Sequence, residues 1–148
     1  MRRLCACGQN MDLGFRLVIF ENKFQIDRVP ILECEDCEYY EVLPAIKCDL
    51  TNLLAQLKQE DEGGRVLFTE VNEFADVLYN SYLTWKRTGD NPSFEALLEQ
   101  GCEERINMLL DLYSCAKKAS DSKWMNEITS RLAPLSKFTK ERQCLETK

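Results

Sequence analysis

The segment CACGQNMDLGFRLVIFENKFQIDRVPILECEDCE, residues 5–38, decides how the N-terminal part of this chain folds. A cysteine pair stands at each end: Cys5/Cys7 as C-x-C and Cys34/Cys37 as C-x-x-C, with 26 residues between Cys7 and Cys34. Four thiolates in two close pairs are the donor set of a tetrahedral all-cysteine zinc site. Cys5, Cys7, Cys34 and Cys37 are therefore the expected ligands of a Zn2+ ion. Gly8 lets the backbone turn tightly after Cys7, so that amide N–H groups can point at sulfur. Glu38 stands at the equivalent place after Cys37.

The residues between the pairs favour strands. Phe15, Leu17 and Ile19 alternate with Arg16, Val18 and Phe20, and Phe24 and Ile26 alternate with Gln25 and Asp27. Glu21-Asn22-Lys23 reads as the turn between two strands, Asn tolerating positive φ. Two strands folding back on each other bring the cysteine pairs together, with Pro30 expected at a strand edge or end. This is the layout of a zinc ribbon. The competing readings are four unrelated buried thiols and a redox C-x-x-C, which expects a βαβ setting and a following helix. With all four positions filled by protein, the metal would be structural rather than catalytic. A module this small would need it to fold.

Composition narrows the function. The chain has 148 residues, 45% of them apolar, enough for a true core. Its net charge is −6; residues 1–58 carry 7 basic and 9 acidic side chains and the rest carry 12 and 16. Neither part offers the broad Lys/Arg footprint of a nucleic-acid binder. There is no histidine, which removes Ser-His-Asp and Cys-His catalysis and the commonest nitrogen ligand. No apolar run is long enough to span a membrane, and the basic start MRRLCACGQN lacks the apolar core of a signal peptide. The expectation is a cytoplasmic protein, whose eight cysteines stay reduced and are available to metal rather than to disulfides.

Residues 1–50 resemble the YgiT-type zinc-finger domain, the zinc-binding region of MqsA-like antitoxins. The resemblance is carried by the N-terminal cysteine pair, the strand-turn-strand, and VPILECEDCEYYE at 29–41. Val29-Pro30, Cys34, Cys37 and the acidic Glu38 match that family's pattern; the C-x-C spacing and the absent second glycine depart from it. The resemblance implies a structural zinc and a surface for a protein partner. It covers about a third of the chain.

Those antitoxins continue into a helix-turn-helix, which this sequence does not clearly repeat. In PAIKCDLTNLLAQL, Ile46, Leu50, Leu53 and Leu57 form one helical face, with Cys48 off it as a surface thiol or a spare ligand. KQEDEGGR then reads as a loop. A helix is expected over 69–86, capped by Thr69 and carrying Val71, Phe74, Leu78, Tyr82 and Trp85. A second should start with Asn91 as cap and Pro92 at its first position and run to about Ala119. Its stripe is Phe94, Leu97, Leu98, Cys102, Ile106, Leu109, Tyr113 and Ala116, with Gly101 marking a close contact or a weak point. Cys102 and Cys115 are expected in the core. A third helix, capped by Asp121, carries Trp124, Ile128 and Leu132 and should end or kink at Pro134.

The expected architecture is α+β: a zinc-ribbon domain with trailing helix over 1–58, a linker over 59–66, a helical bundle over 67–138 and a frayed tail over 139–148. The expected function is a non-enzymatic, zinc-binding protein-interaction or regulatory module. The sequence shows no phosphate loop, open metal position or converging carboxylate pair. Acidic residues 33, 35, 36, 38 and 41 form a rim that suits a basic partner, with Arg2, Arg3 and Arg28 as nearby compensation. The alternative is an antitoxin-like or transcriptional regulator that binds DNA through the helical part. There Lys123, Asn126 and Arg131 are offset by Asp121 and Glu127. Self-association through the long second helix stays open.

Overall fold

The structure, a computed structural model, describes residues 3–89 and 91–146, with side chains through 141. Arg2, Thr147, Lys148 and the side chain of Cys144 lie outside the described residues. The chain is α+β, an N-terminal sheet followed by helices. It divides into two compact units, Met1–Ala75 and Asp76–Lys148.

The first unit is built on a long hairpin. Strand β2 (Asn10–Phe20) pairs antiparallel with β3 (Phe24–Cys34) over their whole length. The turn closes with the Lys23 N–H donating to the Phe20 carbonyl at 3.2 Å, and Glu21 and Asn22 both take positive φ. Two left-handed residues match the right-handed twist of the flanking strands. A short β1 (Arg3–Leu4) pairs with the start of β2, and β4 (Tyr40–Val42) pairs with residues 31–33 of β3.

Beyond β4, helix α1 (Lys47–Leu57) buries Leu50, Leu53 and Leu57 after buried Ile46, the expected face; Cys48 is exposed. It forms part of a crossover to β5 (Gly64–Leu67), which lies parallel to residues 24–27 of β3. Parallel neighbours require such a connection. The expected linker 59–66 thus lies within the first unit. Lys23 ties it there, donating to the Glu60 carbonyl at 2.9 Å, and a Cβ at Gly63 would run into the Lys23 backbone.

β3 is the central strand. A bulge shifts the register between Arg16 and Val18, placing an extra residue in β3 at Asp27-Arg28, with Arg28 at φ +59°. The extra residue changes the parity of the strand. Phe24 and Ile26 before the bulge and Val29 and Ile31 after it therefore share one face, and all four are buried. Pro30 does not sit at an edge, as its lack of an N–H suggests, but inside this strand, opposite Phe15. It falls in the gap between the β5 and β4 ladders, and its carbonyl accepts from Leu43 at 3.1 Å. On β2, Leu17 and Ile19 are exposed while Val18 and Phe20 are half-buried, so the outer end of the apolar alternation faces solvent.

The helix expected over 69–86 is two. A short α2 (Phe68–Val71) stops at Asn72, and α3 (Glu73–Thr88) follows. Asn72 is buried and fully engaged: its Oδ1 accepts from the Ala75 N–H at 2.8 Å and its Nδ2 donates to Asp49 Oδ2 at 2.5 Å. An N-cap side chain of this kind starts α3, while Thr69 is buried in α2.

In the second unit, α4 (Phe94–Lys118) is capped by Ser93, whose hydroxyl accepts from the Ala96 N–H; Asn91 and Pro92 lie before the cap. Leu98, Cys102, Leu109 and Ala116 are buried along the expected stripe. Gly101 lies where a Cβ would approach Val77 and Ser81 of α3 at 3.1 and 3.2 Å, a close packing contact. Cys115 is exposed rather than in the core, one position off the buried Ala116. Asp121 caps α5 (Ser122–Glu146), accepting from the Trp124 N–H at 3.0 Å. Pro134 lies inside α5 and does not end it, and the stretch expected to be frayed is helical through Glu146. Ile128 and Leu135 are buried and Leu132 and Phe138 half-buried, so the apolar stripe runs past the proline.

Candidate metal centre

The hairpin register brings the cysteine pairs together. Met11 lies opposite Cys34, so the loop before β2 and the loop after β3 share one end of the sheet. In the first loop the Cys5 N–H donates to the Gln9 carbonyl at 2.8 Å and the Gly8 N–H to the Cys5 carbonyl at 2.9 Å. In the second, the Cys34 N–H donates to the Tyr39 carbonyl at 2.8 Å. Gly8 has φ +93° and Glu38 φ +61°, so both loops turn left-handed directly after their second cysteine. The Gln9 amide donates to the Cys7 sulfur and the Tyr39 amide to the Cys37 sulfur, at the same offset in each loop. The two are therefore alike as knuckles, although only one has glycine.

The four sulfurs lie within 4.8 Å of one another. Two close contacts cross between the knuckles: Cys7 to Cys34 at 3.4 Å and Cys5 to Cys37 at 3.5 Å. A tetrahedral ion with metal–sulfur bonds of about 2.3 Å needs sulfurs about 3.8 Å apart, so the cluster has the right size for one. None of these sulfurs is in a disulfide. Among the described residues this is the one group of three or more potential ligands that can hold a metal, and Cys48 is not part of it. The four cysteines singled out by spacing are the four brought together.

The electrostatics of the cluster favour a cation. The Cys34 thiol is lowered to about 7, chiefly by the Cys37 amide; the Asp36 amide and the Cys7 and Cys37 sulfurs add to this and burial opposes it. Cys7 is pushed up to about 12: the Gln9 amide lowers it, but hydrogen bonds with the Cys34, Cys5 and Cys37 sulfurs, together with burial, outweigh that. Cys37 is raised for the same reason, against the pull of the Tyr39 amide. The Cys34 thiolate forms readily, and the Cys7 and Cys37 thiols keep their protons. Four thiolates at this spacing need a positive ion between them.

Carboxylates surround the knuckles. Asp12 of β2 hydrogen-bonds Glu35, and that bond together with the Asp12 charge raises the Glu35 carboxyl above the usual range. Arg16 pairs with Glu33 and lies 4.3 Å over the Tyr40 ring. Arg3 Nε is 3.1 Å from Glu41 Oε1. Of the expected compensating cations, Arg3 is seen at the rim, Arg28 belongs to the β3 bulge, and Arg2 is outside the described residues. Glu35, Asp36 and Glu38 are exposed, as are Tyr39 (53%), Tyr40 (51%) and Leu4 (68%). The aromatic and aliphatic members of this surface were not singled out in the sequence.

No family model, curated protein or solved structure matches the chain. No helix among the described residues is long and apolar enough to cross a membrane.

Proposed function

We propose that the chain is a non-enzymatic, cytoplasmic interaction module whose N-terminal part is a zinc ribbon. Cys5, Cys7, Cys34 and Cys37 would hold a Zn2+ ion that neutralises their charge and joins the two knuckles. The observation that carries the reading is the closed all-sulfur cluster: a soft donor set suits zinc, and four protein ligands leave no position for a substrate. The exposed rim of Glu35, Asp36 and Glu38 around Tyr39, Tyr40 and Leu4 would receive a basic partner with an apolar anchor. The similarity of residues 1–50 to the YgiT-type domain points the same way.

The reading is tested in two steps. Metal analysis of the purified chain should find about one zinc per chain, and Cys34→Ser should abolish it. A fully folded, metal-free protein would refute the ribbon. Capture from host extract is then compared for the wild-type chain and a Glu35→Lys/Asp36→Lys chain. A protein held by the first and lost by the second, in a salt-sensitive way, is the expected result; an identical set with both removes the rim from the function. Tight binding of duplex DNA at moderate salt would instead favour the regulator reading, with α5 and its Lys123, Asn126 and Arg131 as the first residues to mutate.

A further inference from the structure

We propose that the cysteine cluster is also a peroxide-responsive modification site, which closes into two disulfides across the knuckles, Cys5–Cys37 and Cys7–Cys34, as the metal leaves. The inference rests on the metal-centre reading. Its basis is the pairing already present in the fold. Each short sulfur–sulfur separation joins one exposed cysteine to one buried one: Cys7 is exposed and Cys34 buried, Cys37 is exposed and Cys5 buried. The exposed member of each pair can meet a small oxidant, and the buried member lies in contact with it across the knuckles.

The chemistry follows in two steps per pair. The exposed sulfur attacks hydrogen peroxide and breaks its O–O bond, giving a sulfenic acid and water. The buried thiol then attacks that sulfur, the S–O bond breaks, and a second water leaves as the disulfide forms. Each pair loses two electrons and one peroxide is consumed. From the metal-bound form, four thiolates, two peroxides and four protons give two disulfides, four waters and the free ion. The cross-knuckle sulfurs must close only from 3.4–3.5 Å to about 2.05 Å. A bridge within C-x-C closes a small ring, and a Cys34–Cys37 bridge is the chemically ordinary competitor, which disulfide mapping decides for or against. The disulfides replace the ion as the link between residues 32 and 27 positions apart, so the knuckles stay joined in both states.

The test uses the full-length, zinc-loaded chain treated with hydrogen peroxide, with a chromogenic chelator reporting free zinc. Remaining thiols are alkylated and disulfides mapped by mass spectrometry after non-reducing digestion. A parallel Cys48→Ser/Cys115→Ser chain removes the exposed thiols outside the cluster among the described residues. The expected result is release of the bound zinc together with peptides linking Cys5 to Cys37 and Cys7 to Cys34, and recovery of zinc binding after reduction. Linkage of Cys34 to Cys37 or of Cys5 to Cys7, crosslinks between chains, over-oxidation without disulfides, or retention of zinc with the thiols reduced would each overturn the proposal. A reduced chain that binds no zinc overturns the metal reading instead, and the same mapping on that chain still decides the pairing.

Discussion

In each knuckle the residue after the second cysteine has positive φ, +93° at Gly8 and +61° at Glu38. The sequence announces the first, because glycine adopts that conformation without strain, and conceals the second, because glutamate is no marker of it. Only the folded symmetry of the two loops shows that Glu38 performs the turn. For a side chain, the left-handed region costs about 1–2 kcal/mol. Nothing lies within 4 Å of a Cβ built on Gly8, so Gly8→Ala should destabilise the metal-loaded first unit by about 0.5–1 kcal/mol, the left-handed cost less the freedom glycine adds to the unfolded chain. Glu38→Gly should do the reverse, raising stability by about 0.5–1 kcal/mol after the added freedom of glycine in the unfolded chain is counted. Thermal unfolding with zinc in excess measures both. Shifts of the same sign would show that the two knuckles are not equivalent.

The elements with a local cause were legible in the sequence: the hairpin with its Asn22 turn, the α1 face, the α4 stripe and the Asp121 cap. Those governed by distant groups were not. The pairing of β5 with β3 joins residues 40 positions apart, and neither segment carries a local mark of it. The break at Asn72 depends on Asp49, which holds the amide that caps α3. Asn72→Ala should therefore cost about 1–3 kcal/mol, from the lost cap and the half-buried carboxylate left behind. Asn72→Ser should recover part of this by keeping the cap, and urea midpoints for the three chains give the order; an unchanged Asn72→Ala midpoint would mean the break has another cause. The β3–β5 pairing has its own signature in acid. Asp27 is held below the usual carboxylate range, first by the hydrogen bond from Arg65, 2.6 Å from its Oδ2, and then by the Arg28 amide. Between the lowered and the ordinary value the unfolded chain binds more protons, so this contribution is complete above the ordinary range and lost as pH falls through the lowered one. Arg65→Ala should flatten that part of the stability–pH curve and leave neutral-pH stability within about 1 kcal/mol, because the pair is solvent-exposed.

At the scale of the whole molecule, the polar run around Gly63-Gly64 suggested a boundary, yet the compact division falls between Ala75 and Asp76, within the residues of α3. A polar run marks a loop, whereas the extent of a unit is set by which apolar side chains share a core, and Phe68, Phe74 and Ala75 are fully buried in the first. The second unit has its own buried set in Leu78, Leu98, Leu109, Ile128 and Leu135. The cysteine cluster lies wholly in the first, so metal removal should act on one unit and spare the other. Hydrogen exchange after chelation should show amides of β1, β2, β3 and β4 losing protection while those of α4 and α5 keep theirs. The same loss should be reached by acid. Protons compete with the ion for sulfur, and because Cys7 and Cys37 hold their protons at neutral pH, apparent zinc affinity should fall by more than about tenfold per pH unit. The fall should steepen below about 7, where Cys34 also takes up a proton. A zinc titration across pH 5–8 measures that slope, and a pH-independent affinity, or exchange that rises together in both units, would show that the ion does not hold the knuckles as thiolates.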